Sequence, residues 1–241
     1  MSLTLQRGSQ GTAVRELQEA LNSKLKLAPP LEVDGIFGAG TDAALRRFQD
    51  ENWLQVDGIA GPGTESALFD RDRYVILVPV TLIPQPTPTT CWAASTGMLL
   101  GSSGPVTQVP PGMNTVNGLP NDSDLDAPVN TTAFAKLHGL QVLPGQTWTP
   151  DGLAGVMQAH APLMVDTLWD SAAYTTRKGH GYVGSSGHMR IFAGIRGDGT
   201  ADGTTIRVYD PWPPGTGAIY SVGYGAMLRQ VPTTTYQIYY T

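Results

Sequence analysis

The chain has 241 residues, 41% of them apolar and 15% charged, with a net charge of −5. Its 29 glycines and 19 prolines favour turns and loops over a helical bundle. No basic cluster exceeds pairs such as Arg46-Arg47 and Arg177-Lys178, so the concentrated cationic face that a nucleic-acid partner requires is missing.

The opening residues, Met1-Ser-Leu-Thr-Leu-Gln-Arg, lack the apolar core of a secretory signal. Export without a classical signal peptide is therefore the expectation if the protein works outside the cytoplasm. No apolar run reaches the length of a membrane helix. The strongest run, Tyr74 to Ile83, is short and is interrupted by Pro79.

An internal repeat organises the first seventy or so residues. Val33-Asp-Gly-Ile-Phe-Gly-Ala-Gly-Thr41 recurs as Val56-Asp-Gly-Ile-Ala-Gly-Pro-Gly-Thr64. In each copy the Asp-Gly pair predicts a turn that accepts positive φ. Thr41 and Thr64 are candidate helix N-caps, followed by Asp42 and Glu65 where a helix start favours acids. Val14, Leu17, Gln18 and Leu21 share one face of a first helix. Ala44, Leu45 and Phe48 share a face of a second, running to about Asn52, and Ala67 and Leu68 lie in a short third. The run Gln6-Arg7-Gly8-Ser-Gln-Gly11, then Val14 and Leu17-Gln18, with two Asp-Gly-x-x-Gly-x-x-Thr copies, resembles the bacterial peptidoglycan-binding domain. The resemblance covers residues 3 to 69. It implies a non-catalytic three-helix module at residues 1–70, with peptidoglycan as its partner and a location outside the cytoplasm at the cell wall. The plainer alternative is a helical adaptor whose repeat only sets turns.

A polar connector, Phe69 to Tyr74, leads into the second part, residues 71–241. Tyr74 to Ile83 reads as a strand, and a helix is expected from Cys91 to Leu100. Residues 101–130 read as a long loop. Short helices are expected over Thr132 to His138 and Gly152 to His160, and a strand over Pro162 to Trp169. His188 to Ile195 and Thr205 to Asp210 predict a hairpin, turning through residues 196–203. Tyr236 to Tyr240 closes as a last strand. Helices first and strands later point to an α+β fold.

Cys91 is the only cysteine, and a lone cysteine is by default a small buried hydrophobe. Its setting argues for more. At a helix start, backbone amides and the helix dipole favour a thiolate, and a neighbouring imidazole would favour it further. Gln85, six residues earlier on a proline-stiffened approach, could offer an amide hydrogen beside the Cys91 N–H, forming a two-donor oxyanion site. His138 and His160 fall at expected helix ends, where a histidine commonly meets terminal carbonyls. His180 lies in a glycine-rich loop. His188 instead opens an apolar strand, and antiparallel pairing returns Asp210 beside it. Asp210 would then orient the imidazole, with Pro211 breaking the strand and Trp212 screening the pair.

Gln85, Cys91-Trp92, His188 and Asp210 with Trp212 two residues on resemble the papain-like cysteine peptidases, over roughly residues 74 to 241. The resemblance implies a helical part carrying the cysteine and an antiparallel β part carrying His and Asp. It also implies acyl transfer through Cys91, with His188 as acid and base, Asp210 as orienting group and Gln85 at the oxyanion. Many members carry Asn as the third residue. Asp210 departs from them as do several bacterial branches, including bacteriocin-processing peptidases and secreted effector proteases.

The expected substrate is an amide bond in a protein or peptide, or in peptidoglycan stem peptides, with no cofactor and no metal. A zinc peptidase is disfavoured because no His-x-x-x-His or Cys-x-x-Cys pair exists. A binding protein of another class, with a degenerate papain-like domain that does not turn over, is the competing expectation.

Overall fold

The computed structural model describes residues 4–111, 115–116, 119–120, 128–168, 187–230 and 236–241. The chain divides into two compact units. The first holds residues 1–75 with 195–207 and 221–226; the second holds 76–194, 208–220 and 227–241.

In the first unit, helices α1 (Thr12–Leu25), α2 (Ala39–Glu51) and α3 (Pro62–Leu68) enclose a core that includes Val14, Leu17, Leu21, Phe37, Leu45, Phe48 and Leu68. All three helices are the expected ones, but their starts are not. The residues preceding α2 and α3 are Gly38 and Gly61, which lie three positions ahead of Thr41 and Thr64. Neither threonine caps a helix; both are buried inside the first turn.

The reason is a polar network that the repeat builds twice. Gln18 Nε2 donates to Asp34 Oδ1, the Ile36 carbonyl and Thr41 Oγ1, and Gln18 Oε1 accepts from the Gly35 N–H. Gln49 does the same with Asp57, Ile59, Thr64 and Gly58. Each threonine hydroxyl is claimed by a buried glutamine and is not left for capping. Asp34 and Asp57 also accept from the N–H two residues on, which closes an Asx turn. Gly35 and Gly58 have φ of 75° and 71°, and a side chain there would strike Arg15 or Arg46. Those arginines strap the loops: Arg15 Nη1 donates to the Val33 carbonyl and Arg46 Nη2 to that of Asp57. The unit also holds a buried ion pair. Arg196 Nη2 lies 2.6 Å from Asp72 Oδ2, while its Nη1 donates to the Asn52 carbonyl.

The second unit is built on a seven-stranded antiparallel sheet ordered β4-β9-β5-β6-β7-β8, with β1 also paired to β6. Its strands are β1 (Tyr74–Leu77), β4 (Gln141–Gln146), β5 (Leu163–Leu168), β6 (Gly187–Gly197), β7 (Thr204–Asp210), β8 (Ala218–Gly223) and β9 (Tyr236–Tyr240). The ends of β1, β6, β7 and β8 belong to the first unit. The hairpin expected around residues 196–203 and the closing strand are present. The first strand stops at Leu77, well short of Ile83, because Pro79 removes a ladder donor. Strands β4 and β8 and helix α7 (Tyr224–Gln230) lie where no element was expected. Inside the expected loop 101–130, two short strands β2 (Thr115–Val116) and β3 (Leu119–Pro120) pair, and helix α5 (Pro128–Leu137) already begins.

Helix α4 (Cys91–Leu99) is buried along all nine residues, so it has no solvent face and reads as apolar all round. Trp92 meets Phe134 of α5 edge-on, with centroids 5.3 Å apart. Gly97 allows the following segment to fold back. A Cβ there would collide with the Gly104 carbonyl, and the Val106 N–H donates to the Ala93 carbonyl at 3.0 Å. Helix α6 (Pro150–His160) starts at Thr149, whose hydroxyl accepts from the Gly152 N–H.

Candidate active site

Three elements of the second unit supply the polar residues singled out in the sequence. Cys91 is the first residue of α4, preceded by Thr90. The turn before it is tied to itself: Thr90 Oγ1 and the Thr90 N–H both donate to the Thr87 carbonyl, and the Thr87 N–H donates to Thr90 Oγ1. This turn presents the first amides of α4 at the cysteine.

Strand β6 meets α4 at the residue after His188. The Met189 N–H points at Cys91 Sγ at 3.5 Å, and the Met189 carbonyl accepts from Ser95 Oγ at 2.9 Å. Cys91 and Ser95 lie one helical turn apart and therefore share a face. Between them they hold both backbone groups of one strand residue. That grip fixes the height of His188 relative to the thiol, across 98 residues of sequence.

His188 Nε2 lies 2.7 Å from Asp210 Oδ1, at the end of the neighbouring strand β7. Asp210 Oδ1 also accepts from the Trp212 N–H at 2.9 Å, and Oδ2 accepts from the Tyr220 hydroxyl at 3.0 Å. Burial pushes the Asp210 carboxyl up. The His188 charge and hydrogen bond, the Arg190 guanidinium and the Trp212 N–H outweigh burial and hold it at about 2. Asp210 is thus a carboxylate at neutral pH. The imidazole directs Nε2 to it, which leaves Nδ1 as the ring nitrogen for other work.

Gln85 is wholly buried and joins the cluster through its main chain. Its N–H donates to the Pro211 carbonyl, and its carbonyl accepts from the Gly215 N–H. Gln85 is therefore pinned to the loop that follows Asp210. Its side-chain Nε2 donates to the Thr87 carbonyl at 2.7 Å, which occupies one of two amide hydrogens. Its Oε1 is buried with no hydrogen-bond partner among the described residues. Cys91 is also wholly buried, and His188 is 3% exposed.

His138 and His160 do not join this cluster. His138 Nε2 meets the Gln108 carbonyl at 3.1 Å rather than a carbonyl of its own helix, and its ring packs on Phe134. Burial lowers its pKa despite that contact. His160 stacks with Tyr240, centroids 4.2 Å apart. His180 lies outside the described residues. Among the described residues, no group of three or more His, Cys, Asp or Glu side chains converges as a metal site.

Residues 75–221 match the model of the papain-like cysteine protease AvrRpt2 family. The chain belongs to that family. It is a cysteine peptidase, a hydrolase. Residues 10–68 match the model of a putative peptidoglycan binding domain, so an AvrRpt2-type protease domain follows a peptidoglycan-binding one. Among solved structures, the endolysin of Burkholderia AP3 phage is similar at 39% identity over 27% of this chain and 24% of that one, with a TM-score of 0.25. The chain thus spans about a quarter of that endolysin's length. The SleB N-terminal domain is similar at 43% identity over 29% of this chain and 93% of that one, with a TM-score of 0.27. No curated protein matches the chain.

Several residues of this cluster escaped the sequence reading. Ser95 was legible, since it follows Cys91 by four positions on a helix. Arg190 was legible as well, two positions after His188 on a strand and so on the same face. Thr90 and Tyr220 carried no sequence signal; only folding sets them beside Cys91 and Asp210.

Proposed function

We propose that this protein hydrolyses amide bonds through a covalent acyl-enzyme on Cys91, and that residues 1–70 hold the enzyme at peptidoglycan while residues 71–241 carry the chemistry. The observation that carries the reading is the chain of contacts from Cys91 Sγ to Met189, and from the adjoining His188 Nε2 to Asp210 at 2.7 Å. With Nε2 occupied, Nδ1 takes the thiol proton, and the start of α4 stabilises the thiolate. The thiolate attacks the carbonyl carbon. The tetrahedral oxyanion is received by the Cys91 N–H and by the second amide hydrogen of Gln85. His188 Nδ1–H protonates the departing amine, then draws a proton from the water that releases the acid. Asp210 keeps the imidazole in the tautomer this cycle needs.

Because Cys91 is wholly buried, substrate entry requires the sulfur to be uncovered before attack. The match of residues 10–68 to a peptidoglycan-binding model favours stem peptides of peptidoglycan as a second substrate reading, beside protein. It also supports a site of action at the cell wall.

Purified muropeptides and a denatured protein library, digested side by side, test both readings. Mass shifts confined to one pool identify the substrate class, and a thioester adduct on Cys91 identifies the intermediate. Undiminished hydrolysis by Cys91→Ala refutes the mechanism.

A further inference from the structure

Behind Asp210 stands a pair of side chains that the proposed cycle does not use. Arg190 lies two residues beyond His188 on β6, so both project from one face. Asp210 ends β7, and Tyr220 lies on β8, the next strand. Three neighbouring strands therefore set four polar side chains in a row: Arg190 and His188, then Asp210, then Tyr220. Arg190 Nη1 donates to the Tyr220 hydroxyl at 2.9 Å, and that hydroxyl donates to Asp210 Oδ2 at 3.0 Å. Arg190 is 3% exposed.

The order of contacts matters. A buried guanidinium beside a buried carboxylate would ordinarily close on it as a direct ion pair. Here the tyrosine hydroxyl stands between the two. It accepts from the cation and donates to the anion, so Asp210 keeps Oδ1 for His188 and the Trp212 N–H. Among the described residues, the charged and titratable groups bearing on Asp210 are His188 and Arg190 of β6 and Tyr220 of β8. Burial raises the Tyr220 pKa, with Asp210 adding to that and Arg190 opposing it, so the hydroxyl remains a donor.

We propose that Tyr220 is a positioning residue: its hydroxyl spaces Arg190 from Asp210 and thereby keeps the carboxylate engaged with His188. The proposal rests on the catalytic reading of Cys91, His188 and Asp210 given above. Losing the hydroxyl opens Asp210 Oδ2 to Arg190, and the competing ion pair draws the carboxylate from the imidazole. Removing Arg190 as well removes the competitor.

The test uses the full chain, its Tyr220→Phe and Arg190→Met variants, and the double variant. Iodoacetamide alkylation of Cys91 is followed against pH, and the His188 Nε2–H proton is followed by NMR. Wild type should alkylate below the usual thiol range and show a downfield Nε2–H signal. Tyr220→Phe should alkylate about three- to tenfold more slowly near pH 6, the scale of one hydrogen bond, with the proton signal displaced upfield. The double variant should recover both readouts toward wild type, which a tyrosine serving only as packing would not produce. Overlapping profiles for wild type and Tyr220→Phe, or a double variant no faster than Tyr220→Phe, overturn the proposal. A wild type with ordinary thiol reactivity defeats the catalytic reading itself, and that result is read before any variant is compared.

Discussion

The two units bury polar groups in opposite ways. In the first, the Gln18 and Gln49 networks are duplicated and locally closed, each centred on a neutral amide that holds one aspartate. Their partners lie 8 to 23 residues away, and each amide meets two side chains and two backbone groups. In the second, Cys91, His188, Asp210, Tyr220 and Arg190 form one asymmetric and charged cluster, assembled across 98 residues at its widest link. A network that occurs twice with every group satisfied is a device for shaping loops. A single cluster that holds a carboxylate against an imidazole, one strand residue from a thiol, is what the proposed proton transfers rest on. Burial alone separates neither kind from the other; duplication and the reach of the contacts along the chain do.

The sharpest way to break the comparison is to delete the proposed nucleophile. Cys91→Ala should cost at least about a thousandfold in amide hydrolysis, measured on whichever pool the wild type cleaves, while thermal unfolding changes little. Asp210→Asn should follow, with a loss of about a hundredfold or more in kcat through the wrong imidazole tautomer and a smaller change in KM. If both variants retain wild-type rates, the charged cluster is as structural as the glutamine networks.

The converse test removes a loop network. Gln49→Ala leaves the Gly58 N–H, Asp57 and Thr64 without their buried partner and should destabilise the first unit by about 2–4 kcal/mol. Gln18→Ala should behave alike, since its contacts are the same. Denaturant unfolding reads the loss, and hydrolysis of a small soluble peptide should be unaffected. Equal damage to that hydrolysis would show that the two units do not divide labour as proposed.

Acid provides the mildest test. Asp210 is held down from its ordinary 3.8 to about 2 in the folded chain. The stability it contributes is present above pH 3.8 and is lost as pH falls toward 2, because the unfolded chain takes up the proton first. The contribution is on the order of 2 kcal/mol. Chemical denaturation at pH 5 and near pH 2.5 should show wild type losing this increment, and Asp210→Asn, which cannot titrate, losing less.

Much of the candidate site's placement was legible before folding. Cys91 at a helix start, His188 opening a strand and Asp210 before a proline all lie where local pattern put them. The same logic failed at Thr41 and Thr64. Their spacing suited an N-cap, but a glutamine from the preceding helix claimed each hydroxyl. The clue was Arg15-x-x-Gln18 repeated as Arg46-x-x-Gln49, a helical echo of the loop repeat with a different spacing. Strands β4 and β8 were missed because Pro144 and Gly145 interrupt one and the other is a half-exposed edge with little alternation.

What the chain determined by itself was local: helix faces, the turn repeat, a lone cysteine with its flanking tryptophan at the start of a helix, and a hairpin that returns Asp210 to His188. These follow from short-range sterics and from periodicities of two and 3.6 residues. Tertiary structure alone decided which groups meet from afar. It set the Met189 backbone against Cys91 and Ser95, and the Tyr220 hydroxyl between Arg190 and Asp210. Such contacts depend on strand order and packing depth, and neither leaves a periodic trace in the residues that make them.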